Sequence, residues 1–383
     1  MKIYYKNWRL FLIFLFLFLS IAGIISRMVY VQVEQGNFLL QKGNNQNTSE
    51  RVIKFKRGSI YDKNGIPLAI SITGFDLFAL SGLSEDDFLK IKNTLKLNDL
   101  EYKSFNKKSL IKNSLSFEEM RKVRSLRIDR LELEKTYKRH YPLGEQVAPL
   151  VGFSGRDGYG LEGLEKSYNS ILTGKPLKER VLRDGARSTI QRLEVLEFGE
   201  NSKDIYLTID SNIQYIAYKY LVEAIKNNDG TGGTVIILDN SAKEVLALAS
   251  YPSYNPNNPM RSIKKNRAFL ESYEPGSIVK PLALAGAIEK NLIDIDTELE
   301  LPIKIEVDGN IINDRKKYGQ LKAYEIIKES SQVGATQISF LLGAERLIDN
   351  YKKFGFSKPV NINFPSTSFG EINSRDEISD IEI

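Results

Sequence analysis

A serine and a lysine three residues apart are the pair in this chain whose types could do covalent chemistry. They lie in SYEPGSIVKPLALAGAIEK, Ser272 to Lys290, as Ser277 and Lys280. A serine hydroxyl is a poor nucleophile at neutral pH unless a base takes its proton, and a lysine can do so when burial lowers its pKa. The i,i+3 spacing puts both side chains on one helix face. A serine in the first turn also sets the free N–H groups of a helix amino end beside any oxyanion formed at an attacked carbonyl. Ile278, Val279 and the following PLALAGAI are expected to bury the helix and dry the lysine, while Pro281 is late for a first-turn proline and predicts local distortion. The spacing alone carries little, because Ser104 with Lys107, Ser109 with Lys112 and Ser262 with Lys265 repeat it in segments that show no other sign of a site.

Other chemistries are narrowed by composition. The chain has no cysteine, which removes disulfides, thiolate metal sites and cysteine nucleophiles together. Its single histidine, His140, excludes His-rich metal ligation; in KTYKRHYPLGE it reads as the end of a strand before a proline turn. A base for acyl transfer must therefore be something other than imidazole, and no metal or cofactor is expected. The 54 Lys and Arg residues are interspersed with 48 Asp and Glu for a net charge of +6, with no clustered basic face, so nucleic acid is not an expected partner. LTGKP resembles a phosphate loop only in part: the upstream glycine is missing, and Pro176 stands where Ser or Thr must reach magnesium.

The elements that must position Ser277 and Lys280 follow from the hydropathy pattern. Length and 42% hydrophobic residues predict two domains with packed cores. Leu10 to Ile25 is uncharged and almost wholly apolar, and with MVYVQV beyond Arg27 it approaches the ~20 residues that span a bilayer. Lys2, Lys6 and Arg9 precede it, which predicts a cytoplasmic amino end and a body outside the membrane; the small-x-small cleavage pattern is poor, which favours an uncleaved anchor. A strand is predicted around Val52, Ile53 and Phe55, a hairpin turn at DKNG, and two helices between residues 84 and 126 from the pairs Ser84 with Asp87 and Ser116 with Glu119. The Lys-rich stretch between those helices reads as a solvated insertion. A helix is expected over Leu161 to Leu172. Asp210 is expected to cap a helix whose Ile213, Ala217, Tyr220 and Ala224 share a face. GGTVIILDNSAKEVLALASYP reads as a buried hairpin. The remainder reads as helical from about Leu321 to Phe354, followed by an extended VNINFPS and a polar tail.

The context of the Ser-Lys pair resembles the active-site segment of class B penicillin-binding proteins, the membrane-anchored D,D-transpeptidases that cross-link peptidoglycan. RGSIYDKNGIPLA (Arg57 to Ala69), RHYPLGEQVAPLVGF (Arg139 to Phe153), GLEGLEKSYNSILTGKP (Gly160 to Pro176) and LTIDSNIQ (Leu207 to Gln214) resemble further motifs of the family in the family's order. YEPGS and ESSQVGA are most similar to the division-septum type. The resemblance implies a membrane-anchored α+β protein: a cytoplasmic stub and transmembrane anchor over residues 1–27, a β-rich, dimerisation-like pedestal over 28–200, and an α/β transpeptidase domain over 201–383. It implies that Ser277 is acylated, that Lys280 accepts its proton, and that Ser330 in ESSQVGATQIS relays a proton to the leaving group. The position of the substrate-binding asparagine is held by Gln332, one methylene longer, which predicts a displaced amide and slower acylation. No Lys-Ser-Gly or Lys-Thr-Gly follows Ser330, so the resemblance implies a partial domain. Such a domain is expected to be marginal, to leave the hairpin at Thr234 to Ser250 with an exposed apolar edge, and to lack an oxyanion donor worth a factor of roughly a hundred. Two readings stay open: a transpeptidase acting on D-Ala-D-Ala stem peptides and inhibited by beta-lactams, or a catalytically inactive homologue that binds the division apparatus. A septal glycosyltransferase and other division proteins are the partners the resemblance implies, on the wall side of the cytoplasmic membrane.

Overall fold

The computed structural model describes residues 4–36, 38, 48–53, 55–97, 101–183, 189–259 and 265–372. Ser262 of the third spacing repeat and the polar tail from residue 373 lie outside them. Contacts group the chain into two bodies, one of residues 1–58 with 170–204 and one of residues 59–169 with 205–383.

The first body begins with a helix over Tyr4–Val33. Its apolar stretch Trp8–Val33 covers 26 residues and includes an 18-residue run of mean hydropathy 2.4 that is not buried against protein, which is long and apolar enough to cross a membrane. The same body holds a three-stranded antiparallel sheet with Leu177–Arg183 between Thr48–Ile53 and Thr189–Glu197. Val181 on its central strand is fully buried.

The second body starts with the hairpin that DKNG predicts. Ile60–Tyr61 turns through Asp62–Gly65 into the long strand Pro67–Ala79, which is flanked by Ser109–Leu115 and Leu131–His140. Asp62 Oδ1 accepts from the backbone N–H groups of Asn64 at 2.8 Å and Ile66 at 2.7 Å, closing the turn. Helices Glu85–Leu95 and Phe117–Ser125 begin where the serines predict, with Ser84 accepting from Asp87 N and Ser116 forming a complete capping box with Glu119. The segment between them is not a solvated insertion. It contains the strand Ser109–Leu115, whose Ile111 and Leu115 are buried with Leu77, Phe88 and Val123, and Tyr102 and Phe105 pack on Phe88. Two aromatic rings and two aliphatics spaced among lysines were enough to make core, and Lys108 lies over the Phe78 ring with its Nζ 4.6 Å from the centroid.

The predicted Leu161–Leu172 helix is two short helices, Gly163–Ser167 and Asn169–Thr173, broken at Tyr168. A crossing of two backbones governs this region. Gly152, at φ +78°, and Gly163, at φ +58°, approach so closely that a Cβ on Gly163 would lie 2.6 Å from the Gly152 nitrogen. Beside the crossing, Arg139 Nε donates to Glu165 Oε1 at 2.6 Å and its Nη1 donates to Ser71 Oγ at 3.0 Å, a buried ion pair fixed by its position rather than by charge alone.

Asp210 caps the helix Ser211–Asn227 as expected. Its buried face is Gln214, Ala217, Leu221 and Ile225, and Tyr220 and Ala224 point to solvent. The polar Gln214 takes the inward position because its amide is fully used: Nε2 donates to Gln146 O at 2.7 Å and to Leu248 O at 3.0 Å, and Oε1 accepts from Leu248 N at 2.8 Å. This helix packs on the antiparallel hairpin Gly233–Asp239 and Glu244–Tyr251. Among the described residues no third strand joins that hairpin, and Ile236 and Leu238 on its first strand are exposed. VNINFPS is irregular, not a strand: Val360 O and Ile362 O accept bonds from residues two further on, and the Phe364 ring packs tilted on Phe269 with centroids 4.4 Å apart.

Candidate active site

Four segments assemble the site. Gly276–Val279 is a 3-10 turn that runs directly into the helix Lys280–Glu289. The distortion predicted from Pro281 is this junction: proline has no N–H to give, and the tight turn is closed instead by Lys280 N donating to Ser277 O. Ser277 therefore sits on the 3-10 turn, one turn ahead of Lys280, and is exposed. Ile278 was expected to help dry the lysine but is 70% exposed, because the tighter turn rotates it away from the neighbouring helices.

Small residues let the helix sit deep against its neighbours. Ala283, Leu284, Gly286 and Ala287 are buried. A Cβ on Gly286 would lie 2.9 Å from Leu342 Cδ2 and 3.0 Å from Asn350 Nδ2, so the helices Gln332–Leu342 and Ala344–Lys353 touch it there. Asn350 Nδ2 donates to Leu282 O at 2.6 Å, two residues past the lysine.

The second motif lies at the junction of Ala323–Glu329 and Gln332–Leu342. Ser330 ends the first helix in the left-handed conformation at φ +54°, uncommon for a residue with a side chain. This reversal leaves Ser331 free to cap the second helix, its Oγ accepting from Gly334 N at 2.8 Å. It also turns two oxygens of Ser330 toward the lysine. Lys280 Nζ donates to Ser330 O at 2.8 Å and to Ser330 Oγ at 3.3 Å, joining motifs 50 residues apart. Burial pushes the Lys280 ammonium below its usual pKa, against an opposing pull from the Asp314 carboxylate. Gln332, exposed, opens the second helix.

Sequence reasoning missed Asp314. It follows the strand Asn310–Asn313, is buried, and accepts three hydrogen bonds: from Ser331 Oγ at 2.6 Å, Gln332 N at 2.6 Å and Val333 N at 3.3 Å. Nothing in NDRKKYG marks it, since its partners lie 17 to 19 residues away across a strand and a helix. His140 ends the strand Leu131–His140. No group of metal-ligating residues occurs among the described residues.

Residues 52–207 match the penicillin-binding protein dimerisation domain, and residues 233–382 match the penicillin binding protein transpeptidase domain. The peptidoglycan D,D-transpeptidase FtsI of Buchnera aphidicola (subsp. Schizaphis graminum) is 30% identical over 404 residues, covering all of this chain and 70% of the relative. The chain belongs to the penicillin-binding protein family. The probable peptidoglycan D,D-transpeptidase PenA of Neisseria meningitidis is 33% identical over 95% of this chain, and the chain spans 65% of the length of that relative. Among solved structures, the penicillin-binding protein of a PBP2–MreC complex from Helicobacter pylori superposes with a TM-score of 0.68 at 23% identity, over 85% of this chain and 68% of that one. A peptidoglycan synthetase from Bifidobacterium adolescentis gives 0.66 at 22% identity, over 87% and 68%. The fold is that of a penicillin-binding protein with a dimerisation domain and a transpeptidase domain, preceded by one helix suited to a membrane.

Proposed function

We propose that this protein is a serine D,D-transpeptidase of peptidoglycan cross-linking in cell division, acylated at Ser277 by D-Ala-D-Ala stem peptides and by beta-lactams. In this reading residues 28–200 form a non-catalytic pedestal and 201–383 carry the reacting groups. Neutral Lys280 takes the Ser277 proton as Oγ attacks the carbonyl, and Ser330 passes a proton to the departing amine. Gln332 contacts the substrate amide. The chemistry uses no metal or cofactor. The helix at the amino end anchors the protein in the cytoplasmic membrane, with Lys2, Lys6 and Arg9 inside and the body facing the wall. A septal glycosyltransferase of the same membrane is the partner class proposed.

The observation that carries the reading is the Lys280 to Ser330 contact, because it unites a partly buried, pKa-lowered amine with the second-motif hydroxyl one turn from Ser277. Membranes containing the chain are treated with a fluorescent penicillin and the acylated peptide is mapped. Label on Ser277 that is lost in Ser277→Ala is the expected result. Absence of label from both proteins would overturn the enzymatic reading and favour a non-catalytic role in the division apparatus.

A further inference from the structure

Ser330 occupies a backbone conformation that a serine does not adopt cheaply, so something must hold the turn that contains it. The preceding helix supplies two bonds: Ser330 N donates to Ile327 O at 3.1 Å, and Ser331 N donates to Ile326 O at 3.0 Å. The following three residues are gripped by a single side chain. Asp314 accepts from Ser331 Oγ, from Gln332 N and from Val333 N, and Ser331 Oγ in turn accepts from Gly334 N. The carboxylate is thus a second cap on the helix that Ser331 already caps, and it fixes the two residues that flank the Ser330 carbonyl on its C-terminal side. It is itself seated by the hairpin Lys304–Val307 and Asn310–Asn313, with Asp314 N donating to Ile303 O at 3.2 Å.

We infer that Asp314 is a positioning residue for the acyl-transfer centre: it holds the Ser330 turn so that both Ser330 oxygens face Lys280 Nζ. The inference rests on the function proposed above for Ser277 and Lys280. Asp314 touches neither residue by hydrogen bond among the described contacts and acts on the lysine in two ways, through the turn and through its charge. Of the titratable groups near the lysine, it is the one whose charge bears on Lys280, opposing the effect of burial. Two other charges beside the turn pair with each other, Lys316 Nζ lying 3.2 Å from Glu329 Oε2. A carboxylate here therefore gives the turn its shape while keeping Lys280 from losing its proton too readily.

Asp314→Asn keeps an acceptor for the two backbone N–H groups and removes the charge; Ser331→Ala keeps the charge and removes the hydroxyl link. Two readouts are taken on the full chain. One is the rate of penicillin acylation against pH. The other is the titration of Lys280, followed by its reactivity toward acetic anhydride across pH and read by peptide mass spectrometry, which needs no acylation of Ser277. Asp314→Asn is expected to shift the Lys280 titration to lower pH and to slow acylation by about tenfold or more through misplacement of the turn. Ser331→Ala is expected to slow acylation with the titration near that of the wild type. An unchanged titration and an unchanged rate in Asp314→Asn would overturn the inference. If the wild type is not acylated at all, the function proposed above fails, and amide hydrogen exchange over Ser330 to Gly334 then decides the role of Asp314: faster exchange in Asp314→Ala supports it, and unchanged exchange overturns it.

Discussion

Under the proposed function, the chemistry of this site turns on which form of Lys280 faces Ser277. Only the neutral amine can accept a proton, and burial makes the protonated form costly, lowering the pKa from the ordinary 10.5 despite the pull of Asp314. Acylation by penicillin is therefore expected to quicken as pH rises and to level off below the pH at which a solvent-exposed lysine would titrate. Lys280→Arg is expected to remove acylation, since a guanidinium does not give up its proton in this range; a flat pH profile would show that Lys280 is not the base. Gln332 adds a second test at the same scale. Its extra methylene carries the amide away from where an asparagine would place it, so Gln332→Asn is expected to raise the acylation rate severalfold, within the ~100-fold that an angstrom of displacement can cost. The pair Ser277 and Lys280 could be proposed from the sequence because its types and spacing lie within four residues, and Ser330 because a motif surrounds it; the structure brings Lys280 and Ser330 together. Asp314 could not, because a buried carboxylate is defined by the N–H groups it meets, and these come from a distant turn.

At the scale of elements, the segments that carry Lys280 and Ser330 are held by contact between helices rather than by propensity within them. The helix Lys280–Glu289 is only ten residues long, too short to be stable by itself, and gains its stability from packing on Gln332–Leu342 and Ala344–Lys353. Gly286→Ala puts a methyl where Leu342 Cδ2 and Asn350 Nδ2 already stand at 2.9 and 3.0 Å. The substitution is expected to destabilise by about 1–3 kcal/mol, as overpacking does, and to slow acylation by tilting the helix that carries Lys280. Thermal unfolding and penicillin labelling measure the two effects, and wild-type values in both would show that the helices have room there. Local signals predicted these elements well where a cap or turn residue lies beside the element it starts: Ser84, Ser116, Asp210 and the DKNG hairpin each stand where expected. Faces were harder to read. Periodicity placed Tyr220 and Ala224 inward, whereas the buried stripe runs through Gln214, whose amide satisfies three backbone groups that a hydrophobic side chain would have stranded. The strand Ser109–Leu115 was hidden among lysines for the converse reason: Ile111 and Leu115 alone are buried in the core, while Leu110 and Asn113 are exposed.

At the scale of the whole molecule, the larger body joins residues 59–169 to residues 205–372 through polar side chains that cross between them. Asn257 brackets the backbone of Tyr141, accepting from its N–H and donating to its carbonyl, each at 3.0 Å. Asp62, in the turn of the first hairpin, accepts from Ser211 N at 3.0 Å and Ser211 Oγ at 2.7 Å at the start of the helix Ser211–Asn227. One carboxylate thus closes a turn and caps a helix 149 residues away. Burial pushes the Asp62 carboxyl up, but hydrogen bonds from Ser211, Ile66 and Asn64 outweigh it, and its pKa falls below the ordinary 3.8. The protonated form is then the one disfavoured by folding. The stability from Asp62 is complete above the unfolded-state value and is lost as pH drops through the lower folded-state value, so its contribution disappears only in acid below about pH 4. Asp62→Asn turns an amide N–H toward the donors of Ser211 and is expected to cost about 2–3 kcal/mol at neutral pH. The cost should shrink as the pH is lowered and the wild type loses the same charge. Denaturant unfolding of both proteins at neutral pH and in acid measures this, and a difference that stays constant across that range would show that the link acts through shape and not through the charge of Asp62.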